Sequence, residues 1–198
     1  MEDRAEHYYK EGSDFFKNGN YSEALSSCDK ALAIKPDYAE AWNGRGVALA
    51  ELKQPAEALV SYDKALSLRS DYADAWNNRG WALVDLGRDA EAVDSFDKAL
   101  ALRSDYADAW NNRGWALVDL GRDAEAVDSF DRALALNPDD ASTWFIRGAE
   151  LGILSRHTEA LASFDKAIAI NPDDAYTWNF RGVALHELGR YAEAISFV

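Results

Sequence analysis

Three features of the sequence predict an all-α protein, a right-handed α-solenoid of antiparallel helix hairpins. Tryptophan falls at positions 42, 76, 110, 144 and 178, every step 34 residues, with Tyr8 one step earlier. Glycine keeps the same period at Gly12, Gly46, Gly80, Gly114, Gly148 and Gly182, and alanine keeps it in two further rows, Ala24 to Ala194 and Ala31 to Ala167. Residues 69–102 and 103–136 are one 34-residue segment printed twice, different only at Lys98 and Arg132. Self-similarity at a period of roughly 20 to 50 residues marks stacked units, each too small to bury its own apolar face.

The elements follow from the pattern inside one unit. Between Ala39 and Tyr72, the residues Trp42, Gly46, Leu49 and Leu52 recur at helical spacing, and so do Ala58, Leu59, Tyr62, Ala65 and Leu66. These predict two amphipathic helices, A and B. A break between them is signalled by Asn18-Gly19-Asn20 in the first unit, Gln54-Pro55 in the second and Leu86-Gly87-Arg88 in the third. Units close on KPD, RSD, RSD, NPD and NPD, where the Asp is placed to cap the next helix A, and Asp37 with Glu40 has capping-box spacing. Small residues at fixed places allow two backbones to approach closely. The expected organisation is a single domain over 1–198, with units at about 5–38, 39–72, 73–106, 107–140, 141–174 and a shortened 175–198.

Arg45, Arg79, Arg113, Arg147 and Arg181 recur just before each glycine, and Asp29, Asp63, Asp97, Asp131 and Asp165 each stand sixteen residues before one of them. An Arg held among packed helices needs an acid, so these rows are expected to pair across the junctions between units. Cys28 takes the helix B place of Tyr62 and Phe96, which makes it a small core residue rather than a nucleophile.

The 34-residue period with this Trp, Gly and Ala pattern resembles the tetratricopeptide repeat, over about Ala5 to Val198. The resemblance implies that the outward stripe of each helix A lines a concave groove holding an extended peptide or a partner's helix. At about 100° per residue, Glu40, Asn43, Val47 and Glu51 point away from Trp42, Gly46 and Leu49. In the two identical units that stripe is Asp74, Asn77, Asn78, Trp81 and Asp85, then Asp108, Asn111, Asn112, Trp115 and Asp119; Phe145, Asn179 and Phe180 continue it, and the two phenylalanines make it more apolar. Aromatic rings are common binding hot spots. The carboxamides of Asn43, Asn77, Asn111 and Asn179 both donate and accept, which suits a ligand's backbone. The acids favour Lys or Arg on a partner. A plainer reading stands beside this one: Trp81 and Trp115 folded onto a neighbouring unit as packing, and the asparagines as solvated helix surface.

Composition narrows the remaining classes. The net charge is −14, opposite to the basic footprint of a nucleic-acid binder, so a neutral to basic protein or peptide partner is expected and nucleic acid is not. The opening MEDRAEHYYKEGSDFFKNG has acids where a secretory signal has a basic head, and no apolar run long enough to span a membrane follows, so a cytoplasmic location without membrane insertion is expected. His7, His157 and His186 lie in different units with no metal-ligand spacing; no phosphate-binding glycine loop and no nucleophile triad can be assembled. The expectation is a non-enzymatic interaction module with no cofactor, no metal and no catalytic residue. The family's clamp for acidic C-termini uses Lys, Asn and Arg on helix A, whereas Glu40, Asp74 and Asp108 stand here. The final YAEAISFV stops inside a helix B, leaving Ile195, Phe197 and Val198 without the rest of it. That end suggests a piece of a larger protein, or a homo-oligomeric scaffold that covers these residues with another copy of itself.

Overall fold

A computed structural model describes residues 2–195, with side chains from Arg4 to Ala194. They form twelve helices: α1 (Glu2–Lys17), α2 (Tyr21–Ile34), α3 (Ala39–Glu51), α4 (Pro55–Leu68), α5 (Ala73–Asp85), α6 (Asp89–Leu102), α7 (Ala107–Asp119), α8 (Asp123–Leu136), α9 (Ala141–Ile153), α10 (His157–Ile170), α11 (Ala175–Glu187) and α12 (Tyr191–Ile195). No strand occurs among the described residues. The odd-numbered helices are the A helices expected from the period, the even-numbered ones the B helices.

The chain divides into two compact units, Met1–Ser104 and Asp105–Val198. The first holds the hairpins α1–α2, α3–α4 and α5–α6, with α2 packed on α3 and α4 on α5. The second holds α7–α8, α9–α10 and α11–α12, with α8 on α9 and α10 on α11. Each unit is thus a stretch of α-solenoid, in which a hairpin buries its apolar face on its neighbours.

Inside a hairpin the periodic glycine and the helix B aromatic interlock. A Cβ built on Gly80 would stand 2.5 Å from the Phe96 ring, and one on Gly46 2.5 Å from Tyr62. The ring lies where a side chain would be, so only glycine lets helix A come this close. Tyr62, Phe96, Phe130 and Phe164 are accordingly buried, as are the alanines Ala58, Ala65, Ala92, Ala99, Ala126 and Ala133.

Helix A ends in a left-handed residue. At Gly87 (φ +68) the amides of Gly87 and Arg88 donate to the carbonyls of Val84 and Leu83, both at 2.8 Å, the Schellman arrangement that satisfies the last turn. Lys53 and Ser155 adopt the same conformation, at φ 60 and 59, without glycine's freedom. Pro55 opens α4 in the first turn, where its missing N–H costs nothing.

The start of helix A departs from the expectation. The N-cap falls one residue beyond the Asp of KPD, RSD and NPD, so Asp37 and its equivalents do not cap. Tyr38, Tyr72 and Tyr106 occupy the N-cap of α3, α5 and α7 and supply no side-chain bond. Asp140 and Asp174, the second acids of the two NPDD sequences, do cap: Asp140 accepts from the amides of Ser142 (3.1 Å) and Thr143 (3.2 Å), and Asp174 from Tyr176 and Thr177.

The junctions within each unit carry the Arg–Asp pairs. Arg45 Nε donates to Asp29 at 2.8 Å, Arg79 to Asp63 at 2.7 Å, Arg147 to Asp131 at 2.5 Å and Arg181 to Asp165 at 2.6 Å. Each Asp belongs to helix B of the preceding hairpin. The same guanidinium reaches into its own hairpin, where Arg45, Arg79 and Arg147 donate through Nη1 to Ser61 (2.7 Å), Ser95 (2.7 Å) and Ser163 (2.6 Å). One planar group therefore ties together two helices B through fixed donor directions, as a lysine could not. The serines share the 34-residue period, but a row of serines by itself names no partner.

Candidate functional site

The outward face of helix A is exposed only in part in both units, and the structure sorts its residues. In the first unit Trp81 is 43% exposed, although its neighbours Ala82 and Leu83 are buried. Asp85 is exposed, and Asn78 is half-buried with its Nδ2 donating to Asn43 Oδ1 at 3.2 Å. Asn43 is buried and donates in turn to the Tyr72 hydroxyl at 3.5 Å. Asn77 is buried as well. Asp74 is held by Arg103 at 2.5 Å. The stripe is therefore narrower than a helical wheel suggests. Asn43 lies about 60° from its centre, and in a stack of hairpins that edge meets the next helix A rather than water.

In the second unit Trp115 is 39% exposed and touches the Phe130 ring edge-on, centroids 6.3 Å apart. Asp108 and Asp119 are exposed, Asn112 is buried, and Asn111 accepts from Thr143 Oγ1 at 3.1 Å. Phe145 and Phe180 meet edge-to-face at 5.2 Å, each also about 6.0 Å from Phe164, while Asn179 is exposed. The amides offered by the sequence to a ligand's backbone are thus partly engaged between hairpins: Asn43 with both ends of its carboxamide, Asn111 with its oxygen. Phe197 and Val198, and the side chain of Ile195, lie outside the described residues.

Hollows open on these faces beside the stripe residues. One of about 280 Å³ lies between α3 and α5, walled by Val47, Glu51, Tyr62, Asn78, Trp81 and Asp85. Another, about 340 Å³ between α9 and α11, is apolar, with Gly148, Gly152, Ile153, Phe164, Phe180 and Val183 in its lining. Ile153 and Val183 are 66% and 52% exposed there, large values for aliphatic side chains without a covering element.

Burial pushes the Cys28 thiol up to about 11, with the Asp29 charge adding to it, so it stays protonated and is a poor nucleophile. Among the described residues no group of three His, Cys, Asp or Glu side chains is placed to hold a metal ion, and no helix is long and apolar enough to cross a membrane.

The sequence profile of the tetratricopeptide repeat matches residues 9–73, 55–106, 78–141 and 154–198. An uncharacterized protein of Methanocaldococcus jannaschii is 37% identical over 46 residues, 23% of this chain and 54% of that protein, so the chain spans about half the length of this curated relative. Among solved structures, PilF of Pseudomonas aeruginosa superposes with TM-score 0.84 at 22% identity, covering 97% of this chain and 87% of its own. PilW, a widely conserved type IV pilus biogenesis factor, gives 0.80 at 26% identity, covering 96% and 88%. YrrB, described as a TPR protein with an unusual peptide-binding site, gives 0.73 at 25% identity, covering 92% and 90%. At its identity the PilF likeness speaks for the fold alone.

Proposed function

The chain belongs to the tetratricopeptide repeat family, whose members generally serve as non-enzymatic protein-interaction modules, and we propose that it binds an extended or helical segment of another protein on its outward helix A faces. The observation that carries this reading is the exposure of Trp81 and Trp115. The same repeat position holds Val47, Ala149 and Val183 elsewhere, so the fold does not need an indole there. A large aromatic surface kept in water is what an interface hot spot looks like before its partner arrives. The hollows of about 280 and 340 Å³ beside the stripe are of a size to seat single side chains, and YrrB, a relative in fold, is described as having a peptide-binding site.

The test is selection of random displayed peptides on the whole chain, followed by affinity measurements with Trp81→Ala/Trp115→Ala. Affinity is expected to fall by about 2 kcal/mol or more, the size of a hot-spot loss, with helicity by circular dichroism unchanged. Peptides that bind both proteins equally well would remove the helix A faces from consideration.

A further inference from the structure

The carboxylates of the stripe are not equivalent. Glu40 is held by Arg69 at 2.6 Å, and that guanidinium also stacks 3.5 Å from the Tyr72 ring centroid; Asp74 is held by Arg103. Glu51 and Asp85, at the far ends of α3 and α5, are different: neither has a cation within 4 Å among the described residues. Both border the 280 Å³ hollow, whose wall includes the exposed Trp81 ring. Lys53 also lines the hollow but pairs with neither acid. Asn78 spends its Nδ2 on Asn43, and its carbonyl oxygen has no partner among the described residues. Burial, and after it the charges of Glu51 and Asp85, push the Tyr62 hydroxyl far above its ordinary value, so the field of both carboxylates reaches the floor of the hollow.

We propose that this hollow takes one lysine or arginine side chain of the bound segment, with its methylene stem on the Trp81 ring and its charged head between Glu51 and Asp85. The inference rests on the helix A faces being the binding surface. The chemistry is complementary at each point. An indole face attracts a cation and covers its apolar stem. Two unpaired carboxylates and one free amide oxygen accept the N–H groups of an ammonium or guanidinium, which carry no acceptor of their own. The hollow is open to water, so its occupant keeps part of its hydration, and the desolvation that weakens buried ion pairs stays small. Since Glu40 and Asp74 already have arginine partners, charge selectivity in the first unit gathers at this hollow.

Selected peptides from the display experiment, prepared with a fluorescent label, serve as probes of the full chain by fluorescence anisotropy. The expected result is a recurrent Lys or Arg among the selected sequences, whose replacement by norleucine weakens binding by about tenfold or more, as loss of a hot-spot contact does. That loss should vanish in Glu51→Gln/Asp85→Asn. It should persist in Asp71→Asn/Asp94→Asn, which removes the same net charge from exposed positions away from the hollow. Three results overturn the cation subsite while leaving the helix A faces as the binding surface: Trp81-dependent peptides with no preferred cation, binding unchanged by norleucine, or a norleucine loss that survives in Glu51→Gln/Asp85→Asn. Peptides that need Trp115 but not Trp81 also overturn the cation subsite alone, and peptides that bind Trp81→Ala/Trp115→Ala as tightly as the parent overturn both.

Discussion

Glu150 sits where α3, α5, α7 and α11 carry Ala48, Ala82, Ala116 and Ala184. It is 3% exposed, its Oε2 is buried without a hydrogen-bond partner, and burial, then the charge of Asp123, raises its pKa. A carboxyl whose folded-state pKa lies above its unfolded value costs stability, and the cost grows as pH climbs from the unfolded value through the folded one. Replacing it by the alanine of its sister repeats removes an unsatisfied acceptor worth about 1–3 kcal/mol. It also forfeits the burial of the Cγ methylene, about 0.8 kcal/mol, and leaves the carboxyl's space empty, a cavity loss of about the same size. At the acid end, where the carboxyl is protonated, the packing loss dominates. Glu150→Ala is then expected to melt below the parent by up to about 3–6 °C, the whole packing loss at about 2–4 °C per kcal/mol for a chain of this size. Near pH 8 the two effects offset each other, and the variant should match or exceed the parent. Thermal unfolding by circular dichroism between about pH 4.5 and 8.5 reads the difference between the two proteins, in which all other titrations cancel. Glu150→Gln, which keeps the volume, should show the same pH trend. A difference that stays flat with pH in both variants would refute the assignment of Glu150 as a strained, desolvated acid.

Two further stability changes follow from backbone geometry. Gly80→Ala places a Cβ against the Phe96 ring and should destabilise by about 1–3 kcal/mol, the range of an overpacked core. Gly152→Ala meets nothing within 4 Å and should instead stabilise by about 0.5–1 kcal/mol, the ordinary helix gain; urea midpoints of the pair check the opposite signs. Ser155→Gly relieves a non-glycine residue at φ 59 and should raise the urea midpoint by the equivalent of about 1 kcal/mol. A fall there would mean that the serine side chain stabilises the turn.

The period exposes most of this architecture because each repeat contacts only its neighbours, so one spacing specifies every contact. The pairing of Arg45 with Asp29 and of Arg79 with Asp63 is legible as a sixteen-residue offset between two rows of equal period. The serine on the other side of each arginine is equally periodic but not legible as a partner, since serine carries no obligatory one. The helix A cap lies one residue beyond the Asp that the sequence offers for it. In NPDD, Asp139 and Asp140 stand side by side, and only backbone dihedrals decide which of two neighbouring positions becomes the N-cap.

The amino-acid pattern alone specifies the hairpin, its length, and the glycine that admits the helix B ring. Which stripe residues remain open to a partner is settled by packing. Asp74 and Asp108 occupy identical segments, yet Asp74 is held by Arg103, while the residue at the matching distance from Asp108 is Asn137 and Asp108 has no ion pair among the described residues. A helical wheel offers Asn43 to a ligand, and it is instead consumed by Asn78 and Tyr72. The physical reason is the same in both cases. A helix face has a direction that its own residues set, but its free charge and free hydrogen-bonding groups depend on what the adjoining hairpin brings against it.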